Sequence, residues 1–182
     1  LDIDGFDTAH KAIILASLAY GFHVPMKQVL VEGIRNLSGM DVKFASEFGY
    51  RIKLLAVVKR EGDEVEVRVH PTLVPLNHML ASVNNVFNAA MVRGDLSGDT
   101  LYYGRGAGRE PTASTVIGDI GDIARNLMAG KSRYRRGVNV ENEGRLRVRA
   151  SDDIASRYYV RLMVFDKAGS LGTITTILGR HG

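Results

Sequence analysis

The chain has 182 residues, 45% of them hydrophobic and 24% charged, ordinary proportions for a globular protein with room for one substantial core. It contains no cysteine, which excludes disulfides, thiolate nucleophiles and cysteine metal sites, and no apolar run approaches the roughly 20 residues of a membrane-spanning helix. The formal charge of +4 is local, because residues 131–157 hold eight Lys or Arg against four Asp or Glu while the remainder is neutral; such a stretch reads as a solvated linker, and the aromatic and GXXG patterns of RNA-binding modules are missing from the chain.

The first predicted element is a helix over residues 6–20. Ile14, Leu15 and Leu18 recur at helical spacing, Ala12, Ala16 and Ala19 are strong helix formers, and Gly21 stops it. Asp4 and Asp7 suit its start, by capping and by the positive end of the helix dipole. Pro25 breaks the chain, and MKQVLVEGI is ambiguous between strand and short helix. Ser38 caps a short helix that ends at Gly49. EVEVRVH then alternates strictly, with Val65, Val67 and Val69 on one face and Glu64, Glu66, Arg68 and His70 on the other. It pairs with YRIKLLAVVKR through the Glu61–Gly62–Asp63 turn as an antiparallel hairpin. VNNVFNAAMVRGD and TLYYGRG read as two more strands joined by DLSGD. A long helix follows from Glu110, with Pro111 in its first turn and Gly130 at its end. YYVRLMVFD is predicted as a strand and SLGTITTILGRHG as a helix.

Two clusters carry candidate chemistry. Asp7 and Lys11 are four apart, hence on one helical face. They are either a surface ion pair or a polar pair aimed into a cleft. The expectation that Lys11 shares the buried stripe of Ile14, Leu15 and Leu18 favours the cleft, since a partly buried ammonium is costly without a partner. YYGRGAGREPTAS lies between a strand and a helix, where phosphate-binding glycine loops sit. It fails the G-x-G-x-x-G fingerprint, because Arg109 or Pro111 falls on the last position. Gly104, Gly106 and Gly108 therefore either let backbone approach a ligand or form a tight structural turn. His10, His23, His70 and His78 show no metal-ligand spacing, and no metal is expected.

These stretches carry a family resemblance. DIDGFDTAHKAIILASLAYG resembles the D-x-x-G-x-D-x-x-x-K signature of homoserine dehydrogenases, and YGRGAGREPTASTVIGDI is similar to that family's G-x-G-A-G-x-x-x-T-A segment. The closing YYVRLMVFDKAGSLGTITTILGRHG resembles the first βα unit of an ACT regulatory domain. The resemblance implies NAD(P)-dependent reduction of L-aspartate 4-semialdehyde to L-homoserine, in the cytoplasm, on the route to threonine, methionine and isoleucine. It implies Lys11 as proton donor, Asp7 and Asp2 as substrate-binding residues, and Gly104, Gly106 and Gly108 near the cofactor. It also implies a homodimer, with no nucleic acid and no membrane as partners.

The expected fold is α+β, a mostly antiparallel sheet covered by helices and followed by an ACT-like, ferredoxin-like start. The expected divisions are a substrate-binding and dimerisation domain at 1–133, a basic linker at 134–157 and a truncated ACT-like domain at 158–182. The chain opens on Leu, not Met, and reads as a piece of a longer one. It lacks the family's Rossmann domain, which would bind most of the NAD or NADP, and is expected to be inactive alone. Two other readings are a non-catalytic amino-acid-sensing module, which needs no lysine at position 11, and a basic RNA-binding domain built on residues 131–157.

Overall fold

A computed structural model describes residues 1–130 and 141–181. The amino-terminal helix α1, Phe6–Tyr20, ends where predicted, with Gly21 in the left-handed region at φ 66°. It also begins at Phe6 as predicted, but its cap differs from expectation. The residue preceding it is Gly5, at φ 83°, and no side chain caps the free N–H groups. A Cβ on Gly5 would press on Val31 and Val69 at 3.2 Å, so this glycine lets the chain turn directly against the sheet. Asp4 does not cap. Its carboxylate accepts both arms of Arg35, at 2.9 and 3.0 Å.

The ambiguous segment after Pro25 resolves into a 3-10 turn, Met26–Gln28, and a two-residue strand β1, Leu30–Val31. Helix α2, Gly39–Glu47, has Ser38 as a full capping box with Asp41. Strands β2, Tyr50–Glu61, and β3, Glu64–Pro75, form a twelve-pair antiparallel hairpin about Gly62 at φ 60°. Beyond the turn Met79–Ser82 comes a second, separate hairpin, β4 Phe87–Gly94 with β5 Gly98–Arg105. Helix α3 spans Arg109–Met128, strand β6 Arg147–Val148 and helix α4 Ser170–His181.

The larger sheet is mixed. β3 is central, antiparallel to β2 and parallel to the short strands β1 and β6. The long pairings are antiparallel as expected, and the parallel edges were not. The core forms where α1 lies on β3: Ala9, Ala12 and Ala16 face Val65, Val67 and Val69, all nearly inaccessible to solvent. Alanines at this spacing bring the helix axis close to the sheet, and each buried valine contributes about 1.5–3 kcal/mol.

Three features of the structure were not legible in the sequence. First, α1 buries its alanine stripe, so Ile14, Leu15 and Leu18 lie on the opposite face, each more than half exposed. The sequence offered two apolar stripes on one helix, and packing chose the smaller residues. Second, the polar face of β3 is not solvated. Glu66 and Arg68 are buried, with Oε1 and Nε 2.7 Å apart. Neither atom makes a well-directed hydrogen bond, nor does the buried His70 Nε2. Third, residues 158–165 form no strand among the described residues. A lone extended segment has no ladder to satisfy it, so this stretch stays unpaired.

The expected linker 134–157 falls in part on 134–140, outside the described residues. The remainder is fastened to the sheet. Asn142 donates to the Tyr20 carbonyl and Glu143 accepts from the His23 N–H, both at 2.8 Å. Arg147 and Arg149 pair with Glu64 at 2.8 and 3.0 Å, and Arg149 also reaches Glu61. These two guanidiniums are engaged by the hairpin's own carboxylates.

Candidate active site

Asp7 and Lys11 sit one turn apart in the first half of α1, held by the helix that the alanine stripe anchors. Lys11 Nζ donates to Asp7 Oδ2 at 2.5 Å, and the two side chains are 66% and 45% exposed. Both lie opposite the buried stripe, on the same outward face as Ile14, Leu15 and Leu18. The expected setting is thereby reversed: the pair does not point into this chain's core but crowns an apolar face that the chain leaves open. An ion pair in water is worth little. Beside three uncovered large aliphatic side chains it is placed so that a molecule or a further domain laid on that face would desolvate it. Asp7 also lies in the first turn, where the helix dipole favours a carboxylate.

Asp2 lies in the turn that enters α1. Its carbonyl accepts from the Gly5 N–H at 3.1 Å, and its side chain is exposed. The neighbouring Asp4 is the residue tied down, its carboxyl held below the ordinary carboxylate range by the Arg35 guanidinium. The same turn is locked from the other side by Gly33. A Cβ there would come within 2.3 Å of the Ile3 carbonyl oxygen and 2.6 Å of Asp4 Cα, while the Ile34 N–H donates to that Ile3 oxygen at 2.8 Å. The sequence gives no motif for this contact, because its two halves are thirty residues apart.

Gly104, Gly106 and Gly108 come together in the passage from β5 to α3, and the three differ in role. A Cβ on Gly106 would fall 1.5 Å from Asn88 Nδ2, and its N–H donates to the Val86 carbonyl at 3.1 Å. A side chain there would have to displace the Asn88 amide, the end of an exposed side chain on β4. Gly104 has open space where a side chain would stand, so backbone is accessible there. Gly108, at φ 132°, precedes α3 without any side chain capping the helix. Among the described residues no hydrogen bond or ion pair joins this turn to Asp7 or Lys11. An uncapped helix start flanked by Arg105 and Arg109 suits a phosphate-bearing group approaching the backbone. No group of three or more His, Asp or Glu among the described residues could hold a metal ion, and no helix among them is long and apolar enough to cross a membrane.

A polar triad, Glu66, Arg68 and His70, escaped sequence reasoning as a buried feature, since alternating charges on a strand look the same on a solvent face. Asp41 was missed as well. Its carboxylate accepts from the Ser38 N–H and hydroxyl, from the Tyr159 hydroxyl and from Arg161 Nε at 2.6 Å. The Arg161 guanidinium, then Ser38, hold its carboxyl far below the ordinary value. The Ser38 cap was legible; Asp41's part in it and the partners 118 and 120 residues away were not.

The chain is similar to known proteins along nearly its whole length. The family model described as homoserine dehydrogenase matches residues 1–120, and the chain belongs to that family. It is 46% identical over 180 residues to the homoserine dehydrogenase of Helicobacter pylori, covering 99% of this chain and 41% of the relative. It is 42% identical over 183 residues to that of Neisseria gonorrhoeae, covering 99% and 42%. Among solved structures, a homoserine dehydrogenase from Thiobacillus denitrificans superposes with a TM-score of 0.80 at 37% identity, over 98% of this chain and 42% of that one. A hyperthermophilic archaeal homoserine dehydrogenase mutant in complex with NADPH superposes with a TM-score of 0.51 at 33% identity, over 65% of this chain and 32% of that one. The chain thus spans about two-fifths of the length of the curated relatives it matches.

Proposed function

We propose that the chain supplies the substrate-binding half of an enzyme that reduces L-aspartate 4-semialdehyde to L-homoserine with NADPH or NADH. The observation that carries this reading is the Asp7–Lys11 pair, 2.5 Å apart on an outward apolar face. In a family whose chains are more than twice as long, such a face is where a second domain and a substrate would close over α1. When bound, the nicotinamide cofactor supplies a hydride to the aldehyde carbon. Gly104 and the start of α3 with Arg109 would meet its phosphate-bearing part, and Gly106 would keep that turn tight against Asn88.

Lys11 holds a proton on Nζ where the aldehyde oxygen becomes an alkoxide. Its ammonium stabilises that charge and then donates the proton. Asp7 fixes the ammonium before substrate arrives and binds a polar end of the substrate afterwards. Asp2, in the entering turn, adds a second carboxylate to the same edge. Covering the face by a ligand and a neighbouring domain lowers the local dielectric, which strengthens these interactions just where charge develops.

The division into a substrate-binding unit at 1–133, a connecting segment and a second unit from 158 is part of this proposal, as are a cytoplasmic enzyme and a homodimer. Large exposed side chains such as Tyr102, Ile117, Ile120 and Ile123 give a second copy apolar surface to cover. The test of the catalytic reading is Lys11→Ala in the whole enzyme. A fall in kcat of about 10² or more is expected for loss of a positioned proton donor, with substrate still bound.

A further inference from the structure

The turn that leads into α1 is gripped by one short segment, residues 32–35. β1 runs parallel to β3, with Leu30 beside Arg68 and Val31 beside Val69, and the Glu32 N–H donates to the Val69 carbonyl at 2.7 Å. Val69 is also one of the core valines under α1, so the segment and the helix share one support. Past Glu32 the chain meets the turn with three consecutive residues. Gly33 lies against the Ile3 carbonyl and Asp4 Cα, so closely that a Cβ would overlap both. The Ile34 N–H donates to the Ile3 carbonyl at 2.8 Å. Arg35 then closes a two-pronged fork, with Nε donating to Asp4 Oδ1 at 2.9 Å and Nη2 to Oδ2 at 3.0 Å. The other end of the segment is tied as well: the Leu37 N–H donates to the Ile34 carbonyl at 3.1 Å, and Ser38 begins the capping box of α2.

We propose that Arg35 is a positioning residue for the reduction of the aldehyde, an inference that rests on the function proposed above. It acts through Asp4 on the turn that sets Asp2 and launches the first turn of α1, where Asp7 holds Lys11. The need for such a grip follows from the helix start. No side chain caps α1, and the residue before it, Gly5, stands at φ 83°. Beyond two backbone bonds of 3.1 Å, from the Gly5 N–H to the Asp2 carbonyl and from the Phe6 N–H to the Leu1 carbonyl, nothing local fixes the direction in which the helix leaves the turn. Asp4 is drawn outward by Arg35 instead of serving the helix end. The planar, two-point geometry of a guanidinium on a carboxylate fixes an angle as well as a distance. In stability an exposed pair of this kind counts for little. In catalysis it counts for more, since a misplacement of about 1 Å at a reacting group can cost about 10²-fold in rate. Arg35 should therefore be felt in turnover and hardly at all in unfolding.

The test compares steady-state kinetics and thermal midpoints in the whole enzyme. Arg35→Gln removes the fork and should lower kcat/KM for L-homoserine about tenfold, the scale of a lost charge-assisted hydrogen bond. The KM for the nicotinamide cofactor should not change, and the midpoint should stay within about 2 °C of wild type. Arg35→Lys keeps the charge without the planar fork and should fall between. Asp4→Asn combined with Arg35→Gln should lose no more than the worse single variant, because the two residues act as one contact. Arg93→Gln is the matched control. Its fork on Asp99, at 2.6 and 2.9 Å, is similarly exposed and lies on the separate hairpin of β4 and β5, so its loss should leave these constants unchanged. Wild-type kcat/KM in Arg35→Gln, additive losses in the double variant, or an equal loss in Arg93→Gln would overturn the inference. Lys11→Ala separates it from the catalytic reading. An inactive Lys11→Ala beside a fully active Arg35→Gln defeats the positioning role alone, whereas an active Lys11→Ala defeats both.

Discussion

Replacing Gly33 by alanine should unseat the turn that aims the candidate site. The added methyl carbon would stand 2.3 Å from the Ile3 carbonyl oxygen, 2.6 Å from Asp4 Cα and 2.9 Å from the Asp4 carbonyl carbon. All three are backbone atoms, so no rotamer change relieves the overlap. The two segments must separate by about 1 Å to reach ordinary contact, which breaks the bond from the Ile34 N–H to that oxygen and stretches the Asp4–Arg35 fork. Overpacking of this kind costs about 1–3 kcal/mol, and the lost backbone bond about 1 more. A total near 3 kcal/mol corresponds to a fall in Tm of about 6–12 °C for a chain of this size. Gly39→Ala is the matched control. It sits at the first position of α2 with nothing within 4 Å of a new Cβ, so it should be neutral or stabilising by a few tenths of a kcal/mol. Urea unfolding of both variants checks this. A Gly33→Ala protein within 0.5 kcal/mol of wild type, a threshold at the edge of ordinary surface effects, would refute the assigned contact.

Other consequences are independent of that turn. Val67→Ala, at a nearly inaccessible position facing the α1 alanines, should cost about 2 kcal/mol by the same unfolding assay. Glu64 is held below its ordinary value of 4.5 by the guanidiniums of Arg147 and Arg149. Because its folded pKa is depressed, its stabilisation is present above the unfolded value and lost as pH falls through the folded one. Glu64→Gln should therefore flatten the loss of stability with acid below about pH 4.5, and an unaltered acid limb would count against the ion pairs. Light scattering should give about twice 19.9 kDa, and a monomer at high concentration would contradict the proposed dimer.

Much of the fold was legible because the signals were local. The alternation of Val65, Val67 and Val69, the Gly62 turn, the Ser38 cap and the Gly21 stop each specify backbone within a few residues, and each element formed in place. What was not legible depends on choice between surfaces. Helix α1 offers alanines on one side and Ile14, Leu15 and Leu18 on the other, and only the closeness of β3 decides that the small side chains go in. The burial of Glu66 and Arg68 likewise comes from what lies above the sheet. The candidate site was readable as a pattern, Asp7 with Lys11, and the pair shares the face of Ile14, Leu15 and Leu18 as expected. That face was expected to be buried and is open in this chain. The Gly33 and Arg161 contacts join segments far apart in the chain and leave no mark on either.

The central claim is that Lys11 is placed for proton donation and not for folding. In the whole enzyme, Lys11→Ala should lower kcat by about 10² or more while the thermal midpoint moves little, because a 66% exposed side chain carries almost no packing. A variant that lost stability while keeping near wild-type activity per folded molecule would contradict it, and would make the Asp7–Lys11 pair a structural one.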